Sequence, residues 1–165
     1  NFYSGEPVLG LNQGRPLVAR SPDSRLNLGN FMRTHLLSAL ATLKIGLDIL
    51  TQQEKVELTK LYAHGGFFKT KGVGQRIMAA AADVPVSVME TAGEGGAWGI
   101  AVLAAYRKDK KPGQSLSDYL NEQVFADAKA ETMEPDAKDV EGFNAFMTSY
   151  INGLAAERGA VEGRF

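Results

Sequence analysis

The chain has 165 residues, 44% hydrophobic and 22% charged, with a net charge of -1 and no cysteine. That length suits one domain with a substantial core, and the composition excludes disordered and fibrous classes. With no basic stripe, no apolar run near the ~20 residues that span a bilayer, and no thiol, it also excludes a nucleic-acid footprint, a membrane-spanning helix, disulfides and thiolate metal sites.

The chain opens on Asn1-Phe2-Tyr3-Ser4-Gly5-Glu6 without an initiator Met. A processed natural start and a segment of a longer polypeptide are both open, and the lack of cysteine fits a reducing cytoplasm. Residues 1–27 are punctuated by Gly5, Pro7, Gly10, Gly14, Pro16 and Pro22, which predicts mostly loop with a short strand at 17–19. Asn27 or Asn30 can cap the following helix, expected over 31–50 from the recurrence of Phe31, Leu36, Leu40, Leu43, Leu47 and Leu50. Gly46 inside it costs up to ~1 kcal/mol against Ala and points to close packing or an irregularity.

Lys60 to His64 reads as a strand running into Gly65-Gly66, and Gly72 to Ala82 as a helix. Pro85 to Met89 reads as a second strand, followed by a small-residue turn, Thr91 to Gly96, and a helix over 97–107. Ser115 starts a short helix reaching about Phe125, and a last helix is expected over 137–158. The alternation of strands and helices predicts an α/β domain with helices packed on a sheet. Two strands are too few for it, a shortage that suggests further strands upstream.

Two glycine-rich turns join a strand to a helix. In the first, His64-Gly65-Gly66, glycines permit tight reversal and close backbone approach to a ligand. The helix start beyond it suits an anion, with Lys69 and Lys71 adding charge. Spacing alone leaves its role open, because it matches neither GxGxxG nor GxxxxGK[ST]. In the second, the small residues are expected to let the helix approach a neighbouring backbone, with Glu94 compensating the helix dipole. His35 and His64 lack partners at metal-ligand spacing, so no metal site is expected. No GxSxG elbow anchors a hydrolase triad. Asp118, Asp127, Asp136 and Asp139 read as capping or solvated residues, and Phe143, Phe146, Tyr150 and Trp98 as core.

The order of these pieces resembles the C-terminal region of the FGGY family of carbohydrate kinases, which includes glycerol, xylulose and ribulose kinases. Ser4-Gly5-Glu6 and Arg15 match its opening segment, and His35-Leu36 the start of its long helix. Gly65-Gly66, Gln75 and Pro85-Val86 follow in family order, as do Glu94, Ala97, Gly99 and Ala101. Phe125, Pro135, Phe143 and Tyr150 fit the closing section. The resemblance implies part of an actin-like, ribonuclease H-like ATPase domain, whose mixed sheet is incomplete in residues 1–165. It implies the nucleotide-binding part of a two-domain kinase that phosphorylates a sugar hydroxyl, such as that of a pentulose, with Mg-ATP.

On this resemblance Gly65, Gly66 and Phe67 approach the nucleotide, and Thr70 stands where glycerol kinases place an Asn near the adenine. Phe67 replaces the usual third glycine, and Ala79 takes a place where relatives often carry Asp, which sets the chain nearer the pentulose kinases. The family's catalytic Asp and the phosphate-gripping strand-turn-strand have no counterpart here, so no catalytic residue is expected in the chain and the Mg ligands are expected outside it. The sugar would be held through a separate N-terminal domain. The implied setting is a soluble cytoplasmic enzyme, with a homodimer as the candidate assembly. A non-catalytic interaction module reusing the half-domain is the alternative.

Overall fold

A computed structural model describes residues 1–3, 5–13, 16–90 and 95–163. Ser4, Arg15 and Glu94, which carry part of the resemblance, lie outside the described residues, as does most of the second glycine-rich turn.

The central helix is α2 (Val73–Ala82), buried along Gln75, Ala79, Ala80 and Ala81. Its alanines keep that surface thin, so α1 (Leu28–Asp48) and α5 (Ala137–Glu162) pack closely on either side. The core is an interdigitation of Leu40, Ala80, Phe143, Met147 and Tyr150 with Tyr3 of the N-terminal segment. Asn27 caps α1 by accepting from the Asn30 N–H at 2.8 Å, so the helix starts three residues before the expected Phe31. Past Asp48 it unwinds through a π-helical turn, Ile49–Gln53, because the polar run that follows has no face to bury. Gly46 faces open space, so close packing does not account for it.

The sheet under α2 has three strands in the order β3-β4-β5, where β3 is Leu61–Ala63, β4 Val86–Met89 and β5 Ala130–Met133. β3 and β4 are parallel, joined through α2, and β5 runs antiparallel to β4. The third strand of the described sheet therefore comes from downstream, and the sheet is open at both edges among the described residues. The sequence Ala130-Glu131-Thr132-Met133 conceals it because three of its four residues are exposed and no apolar alternation marks it. A separate two-stranded ribbon pairs β1 (Phe2–Tyr3) with β2 (Leu17–Val18), so the opening segment is not all loop.

Two polar devices tie these layers together. The buried Gln75 amide donates to the Val86 and Glu131 carbonyls, both at 2.7 Å, and so clamps α2 to β4 and β5 at once. Ser87 and Thr132 hydroxyls bond across the same strand pair at 2.7 Å. Farther away, Tyr3 is wholly buried against α5. Its hydroxyl donates to the Tyr150 carbonyl at 2.8 Å, in space left by Gly153. Beside it Glu157 is buried with one oxygen accepting from the Gly5 N–H at 2.9 Å and the other without a partner among the described residues. Glu6 is buried next to it. Burial pushes the Glu157 carboxyl above the ordinary carboxylate range, and the Glu6 carboxylate adds to this against the opposing Gly5 donor.

The remaining helices lie on the outside. α3 (Gly95–Asp109) has no buried residue, with Ile100 72% and Leu103 52% exposed. Its Gly96 and Gly99 meet nothing, so among its small residues only Gly95 serves a close approach among the described residues. α4 (Leu116–Tyr119) starts at Ser115, which accepts from the Asp118 N–H, and continues as a π-helical turn over Leu120–Val124. Trp98 is half-buried against Phe125, 5.6 Å between centroids, and stands apart from the core. Asp136 caps α5 as the residue type suggests. Asp139 does not merely face solvent: it pairs with Arg76 and, at 3.7 Å, with Arg33, linking α5 to α2 and α1.

Two outcomes follow from the buried polar groups. Replacing Gln75 by Ala removes two hydrogen bonds inside a closed layer and should cost about 2–3 kcal/mol in urea unfolding, with the denaturant slope unchanged. A loss below about 0.5 kcal/mol would show the clamp to be dispensable. Glu157 titrates with a raised pKa in the fold, so its stabilising contribution is present in acid, below the unfolded carboxylate value, and is lost as pH rises through the folded value. Glu157→Gln keeps the shape without the ionisation. Its melting temperature should exceed that of the parent by a few degrees, about 2–5 °C, at pH 8, with the gap closing toward pH 4–5. A gap that does not change with pH would contradict the assignment.

Candidate functional site

β3 is short because Gly65 ends it: its φ of 105° and ψ of 178° are closed to residues with a side chain. The chain then makes one 3-10 turn, Gly66–Phe68, with the Phe68 N–H on the Gly65 carbonyl at 3.0 Å and the Lys69 N–H on the Gly66 carbonyl at 3.2 Å. Thr70 is exposed, and its carbonyl accepts from the Val73 N–H at 3.3 Å, leading into α2. Gly72 takes a left-handed conformation, φ 77°, at the helix start.

Gly65 and Gly66 both face open space: a Cβ on either would meet nothing within 4 Å. The turn therefore presents bare backbone outward, the surface that a flat or phosphorylated ligand can approach closely. Phe67 does the opposite. Its ring lies against Gly74 of α2, where a Cβ would come within 2.7 Å of the ring and 2.5 Å of the Phe67 carbonyl oxygen. Phe67 packs on the core cluster, so what it offers a ligand is backbone, not its ring.

The first turn meets the start of α3. A Cβ on Gly95, the first residue of α3, would lie 2.8 Å from the His64 Nδ1, so the imidazole rests on the α3 N-terminus. That contact needs glycine, and it sets the Gly65-Gly66 turn beside a helix end that carries free N–H groups. Beyond Phe68, a groove of about 450 Å³ opens between the turn and the ends of β4 and β5. Lys69, Lys71, Met89, Glu90 and Lys129 line it, while Gly65, Gly66, Phe67 and Thr70 do not. Lys71 pairs with Glu131 at 3.0 Å, an exposed ion pair of small energetic consequence.

The bare backbone at Gly65 and Gly66 fits the approach of a nucleotide. For a divalent cation the described residues offer less, since they bring no group of three or more His, Asp or Glu side chains together. The His64–Gly95 contact and the Gln75 clamp are the parts that reading the sequence did not find. Gln75 stood in family order, but nothing in its neighbours signals that its amide spans two strands. The Gly95 contact joins residues 31 apart in sequence, and no local pattern ties His64 to it.

Residues 1–107 match the FGGY family of carbohydrate kinases, C-terminal domain. Among curated proteins none matches the chain in sequence. Two solved structures share its fold. The ligand-bound xylulose kinase from Lactobacillus acidophilus matches with a TM-score of 0.61 at 18% identity, over 96% of this chain and 32% of that one. The gluconate kinase from the same organism matches with a TM-score of 0.60 at 18% identity and the same coverage. The chain thus spans about a third of the length of these kinases. The open three-stranded mixed sheet with its helices is part of the actin-like ATPase fold. The match over residues 1–107 makes this chain a member of the FGGY family of carbohydrate kinases, carrying its C-terminal domain.

Proposed function

We propose that the chain is the nucleotide-binding part of an ATP-dependent kinase that phosphorylates a sugar hydroxyl, and that Gly65 and Gly66 are where it meets the nucleotide. The observation that carries this reading is the bare turn: two consecutive glycines whose outward faces are open, braced from behind by Phe67 and from the side by the His64–Gly95 contact. The Gly65, Gly66 and Phe67 backbone would lie along the ribose and phosphates, and Thr70, exposed at the end of the turn, would border the base.

When bound, Mg-ATP supplies the transferable phosphoryl group, and the work of such kinases is positioning and charge stabilisation. This chain's share is positioning. Its turn fixes the nucleotide by backbone, and the α3 N-terminus adds the positive end of a helix dipole. The base that takes the proton from the sugar hydroxyl, the Mg ligands and the sugar pocket belong to other parts of the kinase. A pentulose such as xylulose is the acceptor this reading favours, supported by the structural likeness to a xylulose kinase. A cytoplasmic setting and a homodimer complete it.

One observation favours a second reading, a non-catalytic interaction module. α3 leaves Ile100 and Leu103 more than half exposed, and the outer edge of β3 is unpaired among the described residues, with Tyr62 68% exposed. Under the kinase reading the same surfaces are covered by the rest of the enzyme.

Gly66→Val tests the site without disturbing its supports, because the new side chain enters open space. In the protein at its full natural length it should weaken ATP affinity by about tenfold or more, a change of roughly 1.4 kcal/mol, with the melting temperature unchanged. Equal affinity for ATP in variant and parent, measured by calorimetry, would remove Gly66 from the site. A parent that binds no ATP and transfers no phosphoryl group to any sugar would favour the interaction module.

A further inference from the structure

The side chain of His64 meets α3 at its root. His64 follows β3, where Leu61 and Ala63 are half-buried and Tyr62 is exposed, and it is exposed like Tyr62. Yet a Cβ on Gly95 would lie 2.8 Å from the His64 Nδ1, 3.0 Å from its Cγ and 3.2 Å from its Cβ. Three atoms near the backbone, not a flexible tip, thus rest on the first residue of α3. The two residues touch directly, so the contact does not depend on what else the surface meets.

The two sides of this contact are not held equally. On one side, Phe67 seats the turn on Gly74 of α2, and Gln75 fixes α2 to β4 and β5. On the other, α3 has no buried residue. Its ring contacts run to the segment that follows it: Trp98 to Phe125 at 5.6 Å and Tyr106 to Tyr119 at 5.3 Å between centroids. The Tyr106 hydroxyl also donates to the Gln114 carbonyl at 2.9 Å. None of these three contacts reaches β3, β4 or α2. The turn is therefore the fixed partner, and α3 is the one that follows it.

From this we infer that His64 is a positioning residue: it seats the N-terminus of α3 against the Gly65-Gly66 turn and so sets one wall of the nucleotide site. The role rests on the nucleotide reading of the turn and assigns that site a residue that acts without touching the ligand. The field of a helix end falls off within its first turn. A nucleotide beside Gly65-Gly66 therefore feels α3 only while His64 keeps the helix end there.

Amide hydrogen exchange in Gly95→Ala, on the protein at its full natural length, separates this role from local helix preference, because the two act in opposite directions. Ala favours helix over Gly, so preference alone would slow exchange in the first turns of α3. The clash with His64 should instead push the helix start away and speed exchange over residues 99–103 by about fivefold or more. His64→Ala, which removes Cγ and Nδ1, should speed it by about threefold. In the double variant only the milder 3.2 Å approach remains, so its exchange should lie within about twofold of His64→Ala alone. His64→Asn keeps a branched planar group where Cγ and Nδ1 stand and should match the parent.

Calorimetry with ATP reads the consequence for the site. Gly95→Ala and His64→Ala should each weaken ATP by about three- to tenfold, and His64→Asn by less than about twofold. ATP should also slow exchange over residues 99–103 in the parent, and do so less in Gly95→Ala. Should Gly95→Ala fold poorly, His64→Ala against His64→Asn carries the same comparison. Exchange in Gly95→Ala no faster than in the parent, or unrelieved in the double variant, would overturn the role. So would an ATP affinity that Gly66→Val lowers while His64→Ala and Gly95→Ala leave it unchanged, a result that keeps the nucleotide reading and removes His64 from it. A parent that binds no ATP would end the nucleotide reading, and exchange without nucleotide would still decide what His64 holds.

Discussion

The buried amide of Gln75 is the contact on which the arrangement depends. A three-stranded sheet has little face to bury, and α2 is a short helix whose inner surface is mostly alanine. Apolar area alone would leave such a helix free to slide. A donor pair fixed on the carbonyls of two different strands opposes that freedom, because any shift breaks both bonds at once. Register between helix and sheet follows, and with it the position of the turn that enters α2. The core then closes around this frame, with α1 and α5 flanking α2 and Tyr3 pinning the N-terminal ribbon to α5.

Much of this was legible from residue order. Helical periodicity placed α1, α2 and α5 within a few residues, while Gly65 marked the end of β3 and Pro85 the start of β4. What escaped was non-local. β5 carries no alternation of its own and exists because β4 offers it an open edge. The burial of Glu6 against Glu157 joins residues about 150 apart, and no local pattern announces an acid that the fold will enclose. Gly46 lies against nothing and stands three residues before the π-helical turn, the irregularity its position suggested, while in α3 Gly95 lies against His64 and Gly96 and Gly99 against nothing. At the candidate site, the strand-glycine-helix order was visible, while the partition of roles within it was not. Gly65 and Gly66 are open and Phe67 is turned inward, a difference of side-chain direction that composition cannot express.

Membership of the FGGY carbohydrate kinases gives these pieces a common purpose without fixing the sugar. Two solved relatives named for different substrates, xylulose and gluconate, fit the chain equally well in fold. A shared fold does not fix the acceptor.

The inward turn of Phe67 has a consequence for how the loop behaves in time. A run of three glycines is conformationally loose, and a ligand that fixes it must supply the free energy lost in ordering each residue, about 1 kcal/mol or more apiece. An aromatic anchor seated on Gly74 has already ordered that stretch when the protein folds. The loop gives up one point of close approach and arrives preorganised, so the ordering cost is met at folding and not at each encounter with a ligand.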